Sequence, residues 1–379
     1  MNTTDSEIQN RSGEVEKEDL NGGNPVEVIT KPFNPNEIDV DISTVNLGSL
    51  IEQLENDEID LEPDFQRAVD VWNPIQKSRL IESILLGLPL PSFYFSEDPV
   101  SQKLSIIDGL QRICAIRDFV LQKEKPLRLE GLQFLKNFEG LTFSQLARPE
   151  VKRIKSLKIT MNTLRKGTPL DVKYIIFQRV NTAGVPLTPQ EMRHALNQGP
   201  AAQLVKELAN MESFKRATNY AVKSQRMQDR DFVNRFIAFF IGYQDYMGDL
   251  DMFLNEKMGE LNRMTPAERD SIRISFDKAM TCCYQLFKED TFRRRYNITD
   301  RRKPISKSVY DTLSVNIAWL SDTEQCLLLE KAQAFKSGMM NLFNNDKFNT
   351  AISTGTGQKY NVELRFTMVK SLIKETIQL

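Results

Sequence analysis

Asp108, Gly109, Leu110, Gln111 and Arg112 stand in a row and bring together the parts of an anion site. The aspartate closes a short apolar run, "LSII", and a helical pattern, "LQRICAIRDFV", starts directly after the glycine. Glycine at such a junction lets the backbone turn tightly and a ligand approach closely. The first N–H groups of a helix have no partner within it, and together with the helix dipole they attract anions. Gln111 and Arg112 fall in that first turn, where an arginine can hold a phosphate through two parallel hydrogen bonds. The competing reading is structural: Asp108 caps the helix and Arg112 faces solvent. Leu110 lines up with Ile113 and Cys114 at three- and four-residue spacing, which puts it on the buried side of the helix.

Other segments carry candidate chemistry. "EPDFQRAVDVW" places Arg67 at the exit of an expected strand, either as a second cation or as a surface arginine packed on Trp72. In "FQRVNTAGVPLTPQEMR", Arg179 and Asn181 are open to a ligand-facing or a structural role, while Thr188 and Glu191 have the spacing of a capping box. "STGTGQKYN", residues 353–361, has the composition of a phosphate loop without the Walker spacing, and reads as a flexible connector. "FRRRYNITDRRKP" sets six basic residues around a tyrosine, a nucleic-acid track or a solvated loop. His194 is the one histidine, so no histidine-rich metal centre is available within the chain, and it reads as an ordinary helix residue. The four cysteines include no C-x-x-C pair, which argues against a zinc site or a disulfide framework.

The elements that position these residues follow from periodicity. Residues 1–44 hold ten acidic and three basic side chains and are expected to be a disordered acidic tail. Over 45–168 short strands alternate with helices: "EIDLEP", "PSFYFSED", "KLSIID" and "SLKITMN" read as strands. "NPIQKSRLIESILLGLP" reads as a helix with Asn73 as N-cap, Pro74 at its first position and Gly87 as its stop. Over 169–379 amphipathic helices follow one another. The expectation is an α+β chain, with a mixed α/β N-terminal domain and an all-helical C-terminal domain. No apolar run approaches the roughly 18 residues of a membrane span, and the expected location is the cytoplasm, with no membrane partner.

Taken in order, "FQRAVDVW", "RLIESILLGLPLP", "IDGLQR" and "IFQRVNTAGVPLTPQEMRHAL" resemble the N-terminal domain of GmrSD-type restriction endonucleases, whose core motif is strand, D-G-Q-Q-R, helix. The resemblance implies a ParB/sulfiredoxin-like fold and binding, in some members hydrolysis, of nucleoside triphosphates coupled to restriction of foreign DNA. Carried over, the site is Arg67, Asp108, Gly109, Gln111 and Arg112, with Asn181, and with Asp108 orienting a metal or an attacking water. The implied cofactor is a nucleoside triphosphate with Mg²⁺. The implied partners are DNA and a nuclease or other defence protein, since a single histidine leaves no histidine-dependent nuclease in this chain. The alternative is a non-catalytic DNA- or RNA-binding or sensor module of ParB-like type. Leu110 departs from the motif's first glutamine. If that glutamine faces the nucleotide, hydrolysis is weakened here; if it faces the core, binding survives.

Overall fold

The computed structural model describes residues 15–22, 39–60, 72–97, 103–165, 167–168, 172–173, 176, 179, 188–197 and 199–378. The chain divides into two compact units, Lys31–Gln198 and Met1–Thr30 with Gly199–Leu379. The first is the sheet unit and the second the helical unit, so the class is α+β as expected. The N-terminal boundary differs in kind from a simple tail: residues 15–22 are placed in the helical unit, and 39–44 begin the sheet unit.

The sheet unit carries β1 (Val40–Asn46), α1 (Leu47–Glu55), β2 (Ile59–Asp60), α2 (Pro74–Leu86), β3 (Phe93–Glu97), β4 (Leu104–Asp108), α3 (Leu110–Val120), α4 (Arg148–Ser156), β5 (Lys158–Leu164) and α5 (Pro189–Leu196). The strands form one mixed sheet in the order β1-β5-β3-β4-β2. β1 lies antiparallel to β5, β5 parallel to β3, β3 antiparallel to β4, and β4 parallel to β2. β3 and β4 are thus interior strands. Their apolar residues Phe93, Phe95, Ile106 and Ile107 are buried, as are Ile113 and Ile116 of α3.

α2 has the ends its sequence asks for. Asn73 and Gln76 form a reciprocal capping box, Pro74 occupies the first turn, and Gly87 ends the helix at φ 75°. One face of α2 does a second task. Glu82, nearly fully buried, accepts the N–H groups of Phe134 and Leu135 on Oε1 at 2.7 and 2.8 Å, and that of Gln133 on Oε2 at 3.0 Å. Ser78 Oγ accepts from Glu130 N at 3.0 Å. Together they fasten the 127–141 connection to α2.

The helical unit contains α6 (Pro200–Asn210), α7 (Glu212–Ala217), α8 (Gln228–Gly242), α9 (Leu250–Arg263), α10 (Pro266–Phe287), α11 (Lys307–Ala318), α12 (Asp322–Glu330), α13 (Ala332–Phe343), α14 (Asp346–Ser353) and α15 (Lys359–Gln378). Its centre is α11, buried without interruption from Ser308 to Ile317. Edge-on aromatic contacts join it to α8: the Phe232 and Tyr310 rings are 4.8 Å apart, and Phe236 meets Phe276 of α10 at 4.9 Å.

Burial raises the Glu82 pKa, but the three N–H bonds outweigh it and hold the carboxyl below its ordinary 4.5. A depressed folded pKa supplies stability above the unfolded value, lost as pH falls through the folded one. Glu82→Ala strands three backbone donors and is expected to cost about 2–3 kcal/mol at neutral pH. Urea titration of the two proteins should show that gap narrowing in acid; a constant gap would mean the carboxylate charge contributes nothing.

Candidate functional site

The turn between β4 and α3 is built around a backbone conformation open to little except glycine. Gly109 is the N-cap of α3 at φ 103°, ψ 7°. A Cβ placed on it would lie 2.6 Å from Phe93 Cδ1 and 3.2 Å from Arg112 Nη2. Beside the turn, β3 and β4 slip register between Tyr94 and Phe95, and Tyr94 is paired with Asp108. Bulges of this kind re-aim side chains next to sites.

Asp108 does not cap the helix. No side chain caps α3 at Gly109. The Asp108 carboxylate instead accepts from Arg112 Nη2 at 2.8 Å, with the two side chains 24% and 11% exposed respectively. Arg112 also donates to the carbonyls of Pro91 and, from Nη2 at 3.2 Å, of Ser92. Its guanidinium lies over the Phe93 ring, 4.5 Å from the centroid. So Arg112 is turned inward, tying the entrance of β3 to the β4–α3 turn. Burial pushes the Asp108 pKa up, and neither Arg112 nor the Gly109 N–H fully offsets it. Burial likewise lowers Arg112, against the pull of Asp108.

Gln111 Oε1 accepts from Trp72 N at 3.2 Å, linking α3 to the segment before α2. Leu110 is buried, as its spacing predicts. The structure therefore brings Asp108, Gly109, Gln111 and Arg112 together, whereas Arg67 and Asn181 lie outside the described residues.

Residues 47–197 match the family model described as the GmrSD restriction endonuclease, N-terminal domain. Over these residues the chain is similar to that domain. No curated protein and no solved structure matches the chain. The domain holds the whole Asp108–Arg112 turn, and its C-terminal end is α5, which starts with the expected capping box of Thr188 and Glu191. α5 packs on β4 through Met192, which joins Ile107 and Leu164 in one apolar cluster. Its Arg193 is fully buried and donates Nη1 to Gln190 Oε1 at 2.8 Å, and His194 is buried too. The burial of this arginine escaped the sequence reading; the only hint was its place in the "QEMRH" motif.

As to a metal, Asp108 is a single carboxylate already bonded to Arg112, and among the described residues no three His, Cys, Asp or Glu side chains cluster to hold an ion. It fits the part of one protein ligand to an ion carried by phosphates, the usual arrangement for Mg²⁺.

The other sequence candidates fall in the helical unit. Most cations of "FRRRYNITDRRKP" are turned onto the protein: Arg294 pairs with Glu16, Arg295 with Asp290 at 2.5 Å and Arg302 with Glu289 at 2.8 Å. Arg293 is buried, and Lys303 sits over the Tyr296 ring. The "STGTGQK" stretch is not a loose connector. Thr356 is buried, its carbonyl accepts from Arg365 Nη1 at 2.6 Å, and Asn361 Nδ2 binds the carbonyls of Thr354 and Gly355. Among the described residues no helix is long and apolar enough to cross a membrane.

Gly109→Ala forces an L-residue to φ 103° and a methyl against Phe93. It is expected to cost at least about 2 kcal/mol. Thermal or urea unfolding checks this, and an unchanged midpoint would show that Phe93 and the turn relax freely.

Proposed function

We propose that the β4–α3 mouth binds the phosphates of a nucleoside triphosphate, and that the protein acts in DNA restriction or phage defence. The observation that carries this reading is the uncapped first turn of α3, opened by Gly109 beside Asp108 and Arg112, within the GmrSD-type domain. In this reading the first-turn N–H groups receive phosphate oxygens. Arg112 exchanges its Pro91 and Ser92 carbonyls for a phosphate while keeping Asp108, and Gln111 positions the approach from the Trp72 side. Arg67 and Asn181 join as further phosphate contacts on the strength of the family motif. Mg²⁺ would neutralise charge on the phosphate oxygens, with Asp108 as its protein ligand. The burial of Leu110 favours the packing role for that position, so nucleotide binding is retained. The nucleic-acid alternative draws less support, because the basic segment at 292–304 engages internal partners.

Calorimetry of the full chain with each of the common nucleoside triphosphates and Mg²⁺ tests the reading. One of them is expected to bind at one site, and Arg112→Ala to weaken it by roughly tenfold or more, the scale of a lost charge-assisted pair. No binding, or equal binding by the variant, refutes it. Leu110→Gln places an amide on the buried face and is expected to lower stability by about 1–3 kcal/mol without changing nucleotide affinity. A rise in affinity or turnover would instead put this position at the nucleotide.

A further inference from the structure

The helical unit contains two buried arginines that share one carboxylate of their own. On α8, Arg235 donates Nε to Asp311 Oδ1 at 2.9 Å and Nη2 to Oδ2 at 2.5 Å. On α15, Arg365 brings Nη2 to 3.6 Å from the same Oδ2. All three side chains are 3% exposed or less. Two guanidiniums against one carboxylate leave a buried positive charge, which a low-dielectric interior does not tolerate uncompensated.

The missing anion arrives from the far end of the chain. Residues 15–22 lie along the unit as a strap. Val15 bridges Ile305 in parallel, and Glu16 N donates to Ile305 O at 2.8 Å. Glu18, 11% exposed, takes both Nη1 and Nη2 of Arg235 at 2.9 Å, and Thr356 Oγ1 at 3.0 Å. Beyond it, Asp19 O accepts from Thr356 N at 2.8 Å and Leu20 O from Gly357 N at 3.0 Å. The loop is shaped for this approach: a Cβ on Gly357 would meet Leu20 O at 3.1 Å. Burial raises the Glu18 pKa, but Arg235, with help from Lys307, more than offsets that and keeps it below its ordinary value.

Little apolar surface secures the strap. Its Val15 and Leu20 only abut the core, part-buried, and the rest of the contact is carboxylate and main chain. The surface it covers is therefore an oxyanion site: an arginine fork, a hydroxyl and the N–H groups of a Thr-Gly turn, just ahead of a 20-residue helix. These are the donors that recognise phosphate. We infer that the helical unit carries a phosphate-binding site at Arg235, Thr356 and Gly357, which Glu18 of the chain's own strap fills, and that a phosphate group displaces the strap. The site is separate from the Asp108 mouth and does not depend on what that mouth binds.

Hydrogen exchange of the full chain tests this, read at the Glu16 amide, together with cleavage at Glu18 by a glutamate-specific protease. The ligands are inorganic pyrophosphate, a short single-stranded oligonucleotide, and sodium chloride at matched ionic strength. Pyrophosphate is expected to speed exchange and cleavage in the strap while the α11 amides stay protected. An oligonucleotide that acts at lower concentration than pyrophosphate would identify nucleic-acid backbone as the source of the phosphate; a weaker one would identify small phosphates. Glu18→Gln should lower the pyrophosphate needed by about tenfold, the scale of one weakened charge-assisted pair, and Arg112→Ala should leave it unchanged. The inference fails if sodium chloride releases the strap equally well, or if the strap of the wild-type chain opens only when α11 does. The wild-type result decides should Glu18→Gln not fold.

Discussion

Phe93 lies so close to Gly109 that no side chain fits between them, and the sheet unit's candidate site follows from that contact. Because Phe93 is the first residue of an interior strand, the sheet itself holds the ring in place. The ring blocks a Cβ at Gly109 and supports the Arg112 guanidinium from below. With Arg112 anchored there, Asp108 pairs with it and does not cap the helix. The turn is left with a first helical turn that no side chain caps, one partly exposed carboxylate, and a cation that is already desolvated. A group desolvated before a ligand arrives loses less on binding it than a hydrated one does.

The helical unit solves a different problem, that of closing an all-α core over charged groups. α11 is buried on every side and still carries Asp311, so its neighbours must supply cations, and they supply two. The surplus is corrected by a short acidic segment. Such an arrangement adds little to net stability, since desolvating four charges offsets most of their attraction. What it contributes is selectivity for how the chain closes: an uncharged segment laid in the same place leaves the core unbalanced.

Much of the sheet unit was readable from local signals. Asn73, Pro74 and Gly87 bound α2 because caps and stops depend on a few adjacent residues, and Thr188 with Glu191 opens α5 for the same reason. β3, β4 and β5 follow from short apolar runs between turn residues. β1 was missed because "VDISTVN" alternates weakly and follows an acidic stretch, although pairing with β5 along its full length holds it. The orientation of Arg112 could not be read either, since it is decided by carbonyls about twenty positions earlier. For the same reason Glu18 looked like one more acid in a polar tail: Arg235, its partner, stands 217 positions away. Composition describes a segment's average surroundings, and one buried guanidinium overrides it.

The strap also makes the helical unit discontinuous in sequence. In the sequence the sheet unit, Lys31–Gln198, lies between its two pieces, Met1–Thr30 and Gly199–Leu379. A fragment cut at Gly199 would look like a complete helical domain by every local criterion, yet it would lack the carboxylate that neutralises Arg235. The sheet unit is thus an insert and the helical unit its host. In recombination the helical unit moves intact only if it keeps a few residues from its first, short piece, Glu18 among them.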